Sequence, residues 1–334
     1  VRSGWYNLDM GSWEFRLRSP GGELFQEPCM VIFDSVGNVV ASGTKALEMR
    51  GKIPARFHLV QPVKQGVIHD FEALLCFGEQ LRERFPLKGG WRKPKVISNW
   101  PVSATEVEKE AQVEFLQALG FGKVVLLPTP ISTALGAGLD VLESRGHMVL
   151  NLGGDHTEIC ILSLAEMVFS DAIDFSGNAL NNEFTRLVKD KHGVLPGENS
   201  IEKAKREVLD FSPEASETAF SLVGIDLKSG LPRKVQLDPA AFREVALPLV
   251  EGFVQSIRES LEGTPPELAK DILERGIVMA GGGATIPGLG KLVSDRLGIQ
   301  ITVPQYPVEV VLEGQSRFLE QVALRKKLPS VAFG

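Results

Sequence analysis

The amino-acid sequence predicts an α/β protein of two domains that face each other across a cleft, and three observations carry that expectation. First, Met148-Val149-Leu150-Asn151-Leu152-Gly153-Gly154-Asp155-His156-Thr157-Glu158-Ile159-Cys160-Ile161-Leu162 reads as strand, tight turn, strand. Apolar, β-favouring residues flank a Gly-Gly pair able to adopt positive φ, and successive backbone N–H groups in such a turn form a concave site suited to phosphate. Second, a shorter echo surrounds Asp9-Met10-Gly11-Ser12, and a third glycine turn stands at Gly281-Gly282-Gly283. Third, each half opens on such a candidate and closes with helix, strand and helix, and 334 residues are too many for one small core.

The elements follow in order. Residues 5–18 alternate around Gly11 and Ser12 as a hairpin. Cys29 to Asp34 and Val39 to Ser42 form a strand pair, and residues 43–67, with Pro54 and Pro62, read as a small appended subdomain. Asp70 caps a helix to about Arg84, and Thr105 caps another whose early Glu106 and Glu108 suit the helix dipole. Strands are expected at Lys95 to Asn99 and Lys123 to Leu127, then a turn at Pro128-Thr129-Pro130 and a helix from Ser132 to Glu143. Beyond the second hairpin come a strand from Met167 to Phe175, a helix from Asn178 to His192, and a helix opened by Asn199 with Glu202. Residues 211–237 suggest a small sheet, and Asp238-Pro239 starts a long helix in which Pro248 should make a kink. Thr264-Pro265 starts the next helix. A strand from Gly276 to Ala280, a helix from Pro287 to Leu297, a strand from Ile299 to Val303 and a helix from about Val308 to Lys326 finish the chain.

Composition narrows the function classes. A hydrophobic content of 43% with 23% charged residues is that of a soluble globular protein, and no apolar run reaches the roughly 20 residues that a membrane span needs. The net charge of −6 argues against a general nucleic-acid binder. Cys29, Cys76 and Cys160, far apart and odd in number, fit free thiols in a reducing compartment, and no Cys/His cluster suggests zinc. The cytoplasm is the expected location.

Four stretches, Gln61 to Glu72, Val96 to Glu110, Met148 to Ser163 and Ile277 to Leu289, together resemble the bacterial actin MreB family within the actin/Hsp70/sugar-kinase superfamily. The resemblance runs almost end to end. It implies an actin-like (ribonuclease H-like) duplicated fold with a central nucleotide cleft. Domain I would span 1–145 with a small subdomain at about 34–66, and domain II 146–334 with one at about 181–244. It further implies ATP or ADP with Mg²⁺ between the domains, and self-assembly into filaments on the inner face of the cytoplasmic membrane, with cell-shape or cell-wall-synthesis proteins as partners.

The resemblance also places the site. The first phosphate loop keeps Asp9 (the expected metal-side ligand), Gly11 and Ser12, but Trp13 and Glu14 replace small or neutral residues. The second loop carries Asn151 in place of a metal-holding Asp, keeps Gly153, Gly154, Thr157 and Glu158, and has Asp155 for a third Gly and His156 for a Thr. Losing a carboxylate weakens binding of a hard cation. Thr129 stands where the family has a water-positioning Glu, and threonine cannot serve as a general base at neutral pH. Hydrolysis is therefore expected to be weak or lost. On the nucleoside side, Gly281, Gly282, Gly283 and Ala284 match the adenosine turn, Lys205 and Glu207 fall on the flanking helix, and Asn181 replaces a usual Asp.

The loop at 85–95 matches one that pushes apolar residues into the bilayer in the family. Leu87 and Trp91 would insert while Arg92 and Lys93 meet anionic headgroups, each basic residue worth about 1 kcal/mol near the surface. The rival reading is a non-polymerising pseudo-actin acting as a regulator or adaptor. A sugar-kinase-like or Hsp70-like enzyme fits less well, because the chain lacks a substrate-binding domain and is short for such kinases.

Overall fold

The computed structural model describes residues 4–85, 87, 93–327 and 331–333. Two sheets follow the same path. In the first, a meander of Trp5–Met10, Glu14–Arg18 and Leu24–Pro28 is extended on its Trp5–Met10 edge by parallel strands Lys95–Trp100 and Lys123–Pro128. In the second, His147–Leu152, Thr157–Ser163 and Glu166–Ile173 form the meander, and Ile277–Ala280 and Ile301–Thr302 are the parallel additions. Lys95–Trp100 and Lys123–Pro128 in the first sheet, and Thr157–Ser163 and Ile277–Ala280 in the second, are buried on both faces over nearly their whole length.

Caps behave as their chemistry requires. The Asp70 carboxylate accepts from the Ala73 amide at 2.9 Å, opening Phe71–Arg84. Thr105 and Glu108 form a reciprocal capping box ahead of Glu106–Ala118. Asn199 does something else. The helix Glu198–Val208 has no side-chain cap, and the Asn199 amide instead donates to the Leu47 carbonyl at 2.7 Å and accepts from Arg50 Nε at 2.7 Å. Asn199 therefore ties the helix Glu198–Val208 to Leu47 and Arg50, since a side chain one residue inside the helix points outward toward its neighbour.

Other expectations shift. Thr129 and Pro130 are the first residues of the helix Thr129–Gly136 rather than a turn, because Pro is tolerated in a first turn. That helix ends well before Glu143. The final helix divides into Val310–Glu320 and Val322–Lys327, and an unforeseen strand, Val331–Phe333, pairs antiparallel with Lys123–Pro128. The C-terminal segment thus returns to the first sheet instead of staying with the second half. A division at 145/146 separates it from the sheet on which it packs.

Three cores result. One lies under the first sheet (Leu8, Phe15, Phe77, Phe115) and one under the second (Leu150, Ile159, Phe253, Met279). The third fills the seam between them, where Ile97, Leu127 and Ile131 meet Val149, Cys160 and Phe318. Across this seam Thr129–Gly136 crosses Val310–Glu320 at backbone contact. A Cβ on Gly136 would stand 1.9 Å from the Val310 carbonyl oxygen, and one on Gly314 would stand 1.8 Å from that of Ser132.

The loop expected to enter a bilayer is only partly described. Trp91 and Arg92 lie outside the described residues, and Lys93 is exposed. Leu87 is 1% exposed and belongs to the first core, with its carbonyl beside Gly120. An apolar side chain already shielded by protein gains nothing from lipid, so Leu87 is not a membrane contact.

Candidate functional site

Between the two hairpins lies a cavity of about 520 Å³, within the range of small-ligand sites. The two turns on its walls have one geometry. A Cβ on Gly11 would meet the Glu14 carbonyl oxygen at 2.8 Å, and one on Gly153 would meet that of His156 at the same 2.8 Å. Neither glycine, nor Gly154, adopts positive φ. These positions need glycine for space, not for a left-handed backbone. Gly281 does have φ +87°, and a Cβ there would stand 2.5 Å from the Leu152 carbonyl oxygen, so this turn presses directly on the second hairpin.

The hairpins also share a cross-strand polar pair at the same separation. Arg16 donates to Asp9 at 3.3 Å, and Asn151 donates to Glu158 at 3.4 Å, each pair seven residues apart and directly opposed in register. Arg16 also pairs with Glu14, whose other oxygen accepts from Gln26 Nε2 at 2.8 Å. Glu158 is fully buried. Its Oε1 accepts from the Val102 amide at 2.7 Å, and burial pushes its carboxyl up to about 7 despite those hydrogen bonds. Burial likewise raises Asp9, against the pull of Arg16.

The remaining expected residues fall as follows. Ser12 Oγ accepts from the Gly66 amide at 2.9 Å, and Asp155 accepts from the Gln65 amide at 3.0 Å and Asn178 Nδ2 at 2.6 Å. Both loops thereby hold the turn between Val63–Lys64 and Val67–Ile68. Asp155 points its charge at those donors. Trp13 lines the cavity, with the Arg50 guanidinium 5.0 Å from its ring centroid. His156 lines it too; burial lowers its pKa against the opposing charge of Asp155, and its buried Nδ1 has no partner among the described residues. The Thr129 hydroxyl donates to the Trp100 carbonyl at 2.9 Å and accepts from Asn99 at 3.0 Å, so its proton is already engaged.

Lys205 lines the cavity and donates to Glu202 at 2.7 Å and to the Gly177 carbonyl at 3.0 Å. Burial alone would raise Glu202, but the Lys205 charge and hydrogen bonds from Lys205, Asn181 and Arg206 bring it down to about 2. Gly281, Gly282 and Gly283 line the same cavity. Three expected residues do not reach the cavity. Thr157 is fully buried with its hydroxyl on the Phe175 carbonyl, Ala284 packs in the second core, and Glu207 faces Lys203 on the opposite side of its helix. Residues at i and i+2 of a helix do not share a face, so Lys205 and Glu207 could not both enter. Arg16, Asn99 and Glu202 were not foreseen; the repeated seven-residue spacing is the sequence signal that finds Arg16.

Mg²⁺ beside a nucleotide keeps several waters and takes one or two carboxylates as well as phosphate oxygens, so what matters is whether a carboxylate at the two loops is free. Asp9 is paired with Arg16, Asn151 is neutral, and both Asp155 oxygens are occupied. Among the described residues no group of three His, Cys, Asp or Glu could hold a metal ion. Asp9 is thus not a free metal ligand.

A family model described as MreB/Mbl protein matches residues 7–327. The chain is 32% identical to the cell shape-determining protein Mbl of Bacillus subtilis, over 96% of each protein. It is also 32% identical to the cell shape-determining protein MreB of Escherichia coli K12, over 95% of this chain and 93% of that one. Among solved structures, MreB5 of Spiroplasma citri bound to AMPPNP superposes with a TM-score of 0.90 at 26% identity, covering 96% of this chain and 97% of that one. A MamK double helical filament gives 0.79 at 18% identity and speaks for the fold alone.

Proposed function

The chain belongs to the MreB/Mbl family, and from that premise we propose that it is an actin-like cytoskeletal filament protein acting in cell shape or positioning. Its cleft takes ATP or ADP, with phosphates between the two hairpins and the nucleoside toward Lys205 and the turn at Gly281–Gly283. The observation that carries this reading is the pair of geometrically matched turns facing one cavity, in a fold shared with an AMPPNP-bound relative. The lobes are read as 1–145 together with 310–333, and 146–309. Hydrolysis is weak or absent, because Thr129 has no acid–base capacity near neutral pH and its hydroxyl is engaged.

Negative-stain microscopy of purified protein with and without ATP tests assembly. Filaments are expected; monomers alone across a wide range of salt, nucleotide and lipid favour the regulatory pseudo-actin instead. Filament subunits of this kind would lie at the inner membrane surface beside cell-wall-synthesis proteins. No helix among the described residues is long and apolar enough to cross a membrane, so attachment is assigned to the interfacial chemistry of Trp91, Arg92 and Lys93. Trp91→Ser should reduce co-sedimentation with anionic liposomes several-fold, roughly the effect of removing one interfacial anchor. Unchanged binding removes this loop from the interface.

A further inference from the structure

We propose that the cleft binds its nucleotide without a divalent cation, the Arg16 guanidinium supplying the positive charge that Mg²⁺ would otherwise bring. The proposal rests on the nucleotide reading above and concerns how the same site handles phosphate.

The charge balance carries it. Asp9, Glu14, Asn151 and Arg16 sum to −1, against −2 for two aspartates at the two loop positions with no cation, so Arg16 cancels charge that a divalent cation would otherwise have to offset. The positive charge is here built into the chain. Arg16 lines the cavity with only 13% of its side chain exposed, and its Nη1 and Nη2 hold Asp9 and Glu14. Its Nε is buried with no partner among the described residues. A guanidinium has five N–H donors in a planar fork suited to phosphate oxygens and does not lose its proton in proteins, so this charge is constant with pH. A free dication placed beside it would be repelled.

The surrounding groups point the same way. Glu14 sits at the cavity rim with 24% of its side chain exposed, and Gln26 and Arg16 take its oxygens. The Asp155 carboxylate is turned onto Gln65 and Asn178. Opposite Arg16, the partly neutral Glu158 is tied to Val102 and Asn151. His156 also lines the cavity, and its buried Nδ1 has no hydrogen-bond partner among the described residues.

The test measures ATP and ADP affinity of nucleotide-free full-length protein by equilibrium dialysis, in excess EDTA and in Mg²⁺. EDTA is expected to change wild-type affinity by less than about threefold, whereas Arg16→Gln should lose about tenfold or more in EDTA, the size of one charge-assisted hydrogen bond. Arg16→Lys should recover part of that loss. A wild-type protein that needs Mg²⁺ for binding overturns the proposal and leaves the nucleotide reading standing. Arg16→Gln binding like wild type in EDTA also overturns it. Absence of binding in both media removes the nucleotide reading and this inference with it. Circular dichroism checks the variants, and if Arg16→Gln does not fold, the wild-type comparison of EDTA with Mg²⁺ decides alone.

Discussion

Gly314→Ala should destabilise the protein by about 3 kcal/mol or more, although alanine is the better helix former by about 1 kcal/mol. The sign is what makes the experiment decisive. Gly314 lies inside Val310–Glu320, where an added methyl would ordinarily favour the helix. Here it would stand 1.8 Å from the Ser132 carbonyl oxygen and 2.6 Å from its carbon, both backbone atoms of Thr129–Gly136. No rotamer change relieves that overlap, so the two helices must separate and open the seam that holds Ile131, Val149 and Phe318 together. Gly252→Ala is the control. It is a helical glycine with nothing within 4 Å of the added carbon, and it should raise stability by roughly 0.5–1 kcal/mol. Thermal and urea unfolding followed by circular dichroism read both. An unchanged or raised melting temperature for Gly314→Ala would show that the helices do not cross at this contact.

The second large effect is a pH dependence centred on Glu158. In the unfolded chain this carboxyl titrates near its ordinary value of 4.5, and in the folded protein burial raises it to about 7. A raised folded value means that the proton is held more tightly in the native state. The associated stabilisation is full below pH 4.5 and is lost as pH rises through 7. The difference is on the order of 3 kcal/mol over that window. Glu158→Gln removes the titration, since a glutamine can still accept from the Val102 amide and an inverted Asn151 amide can face its NH₂. Wild-type stability should therefore fall from pH 5 to pH 8 more steeply than that of Glu158→Gln, and urea midpoints across that range measure it. Parallel pH profiles would mean that Glu158 is hydrated and ionises normally. Asp9, raised by burial in the same way, contributes with the same sign and remains in both proteins.

Both effects depend on contacts between residues far apart in the chain, Gly314 with Ser132 and Glu158 with Val102, which local sequence does not reveal. The capping box at Thr105 and Glu108, the Asp70 cap and the two hairpins were all legible, because each depends on residues within a few positions of one another. Asn199 was misjudged for the same reason. Its local neighbours make a plausible cap, and its real partners, Leu47 and Arg50, are about 150 residues away. Leu87 reads in the sequence as an interfacial side chain within a basic, aromatic loop, and only its burial in the first core, with its carbonyl beside Gly120, shows where it goes. Glu207 looked equivalent to Lys205 until the helical phase separated them.

The family resemblance and local chemistry in the sequence therefore determined the duplicated architecture, the cleft and the substituted positions, Asn151, Asp155 and Thr129 among them. Spacing and glycine placement are enough for that, since a turn is closed by near neighbours. The tertiary structure decided how substituted residues and the retained Asp9 are used. Asp155 became a strut to Gln65 and Asn178, the Thr129 hydroxyl was taken up by Trp100 and Asn99, and Asp9 was claimed by Arg16. A charge or hydroxyl has no fixed role until its partners are known, because in a low-dielectric cleft the partners settle its protonation and the donors or acceptors left free. That is why Met148 to Leu162, readable from the start as one wall of a phosphate site, yielded its chemistry only once the opposite wall was in place.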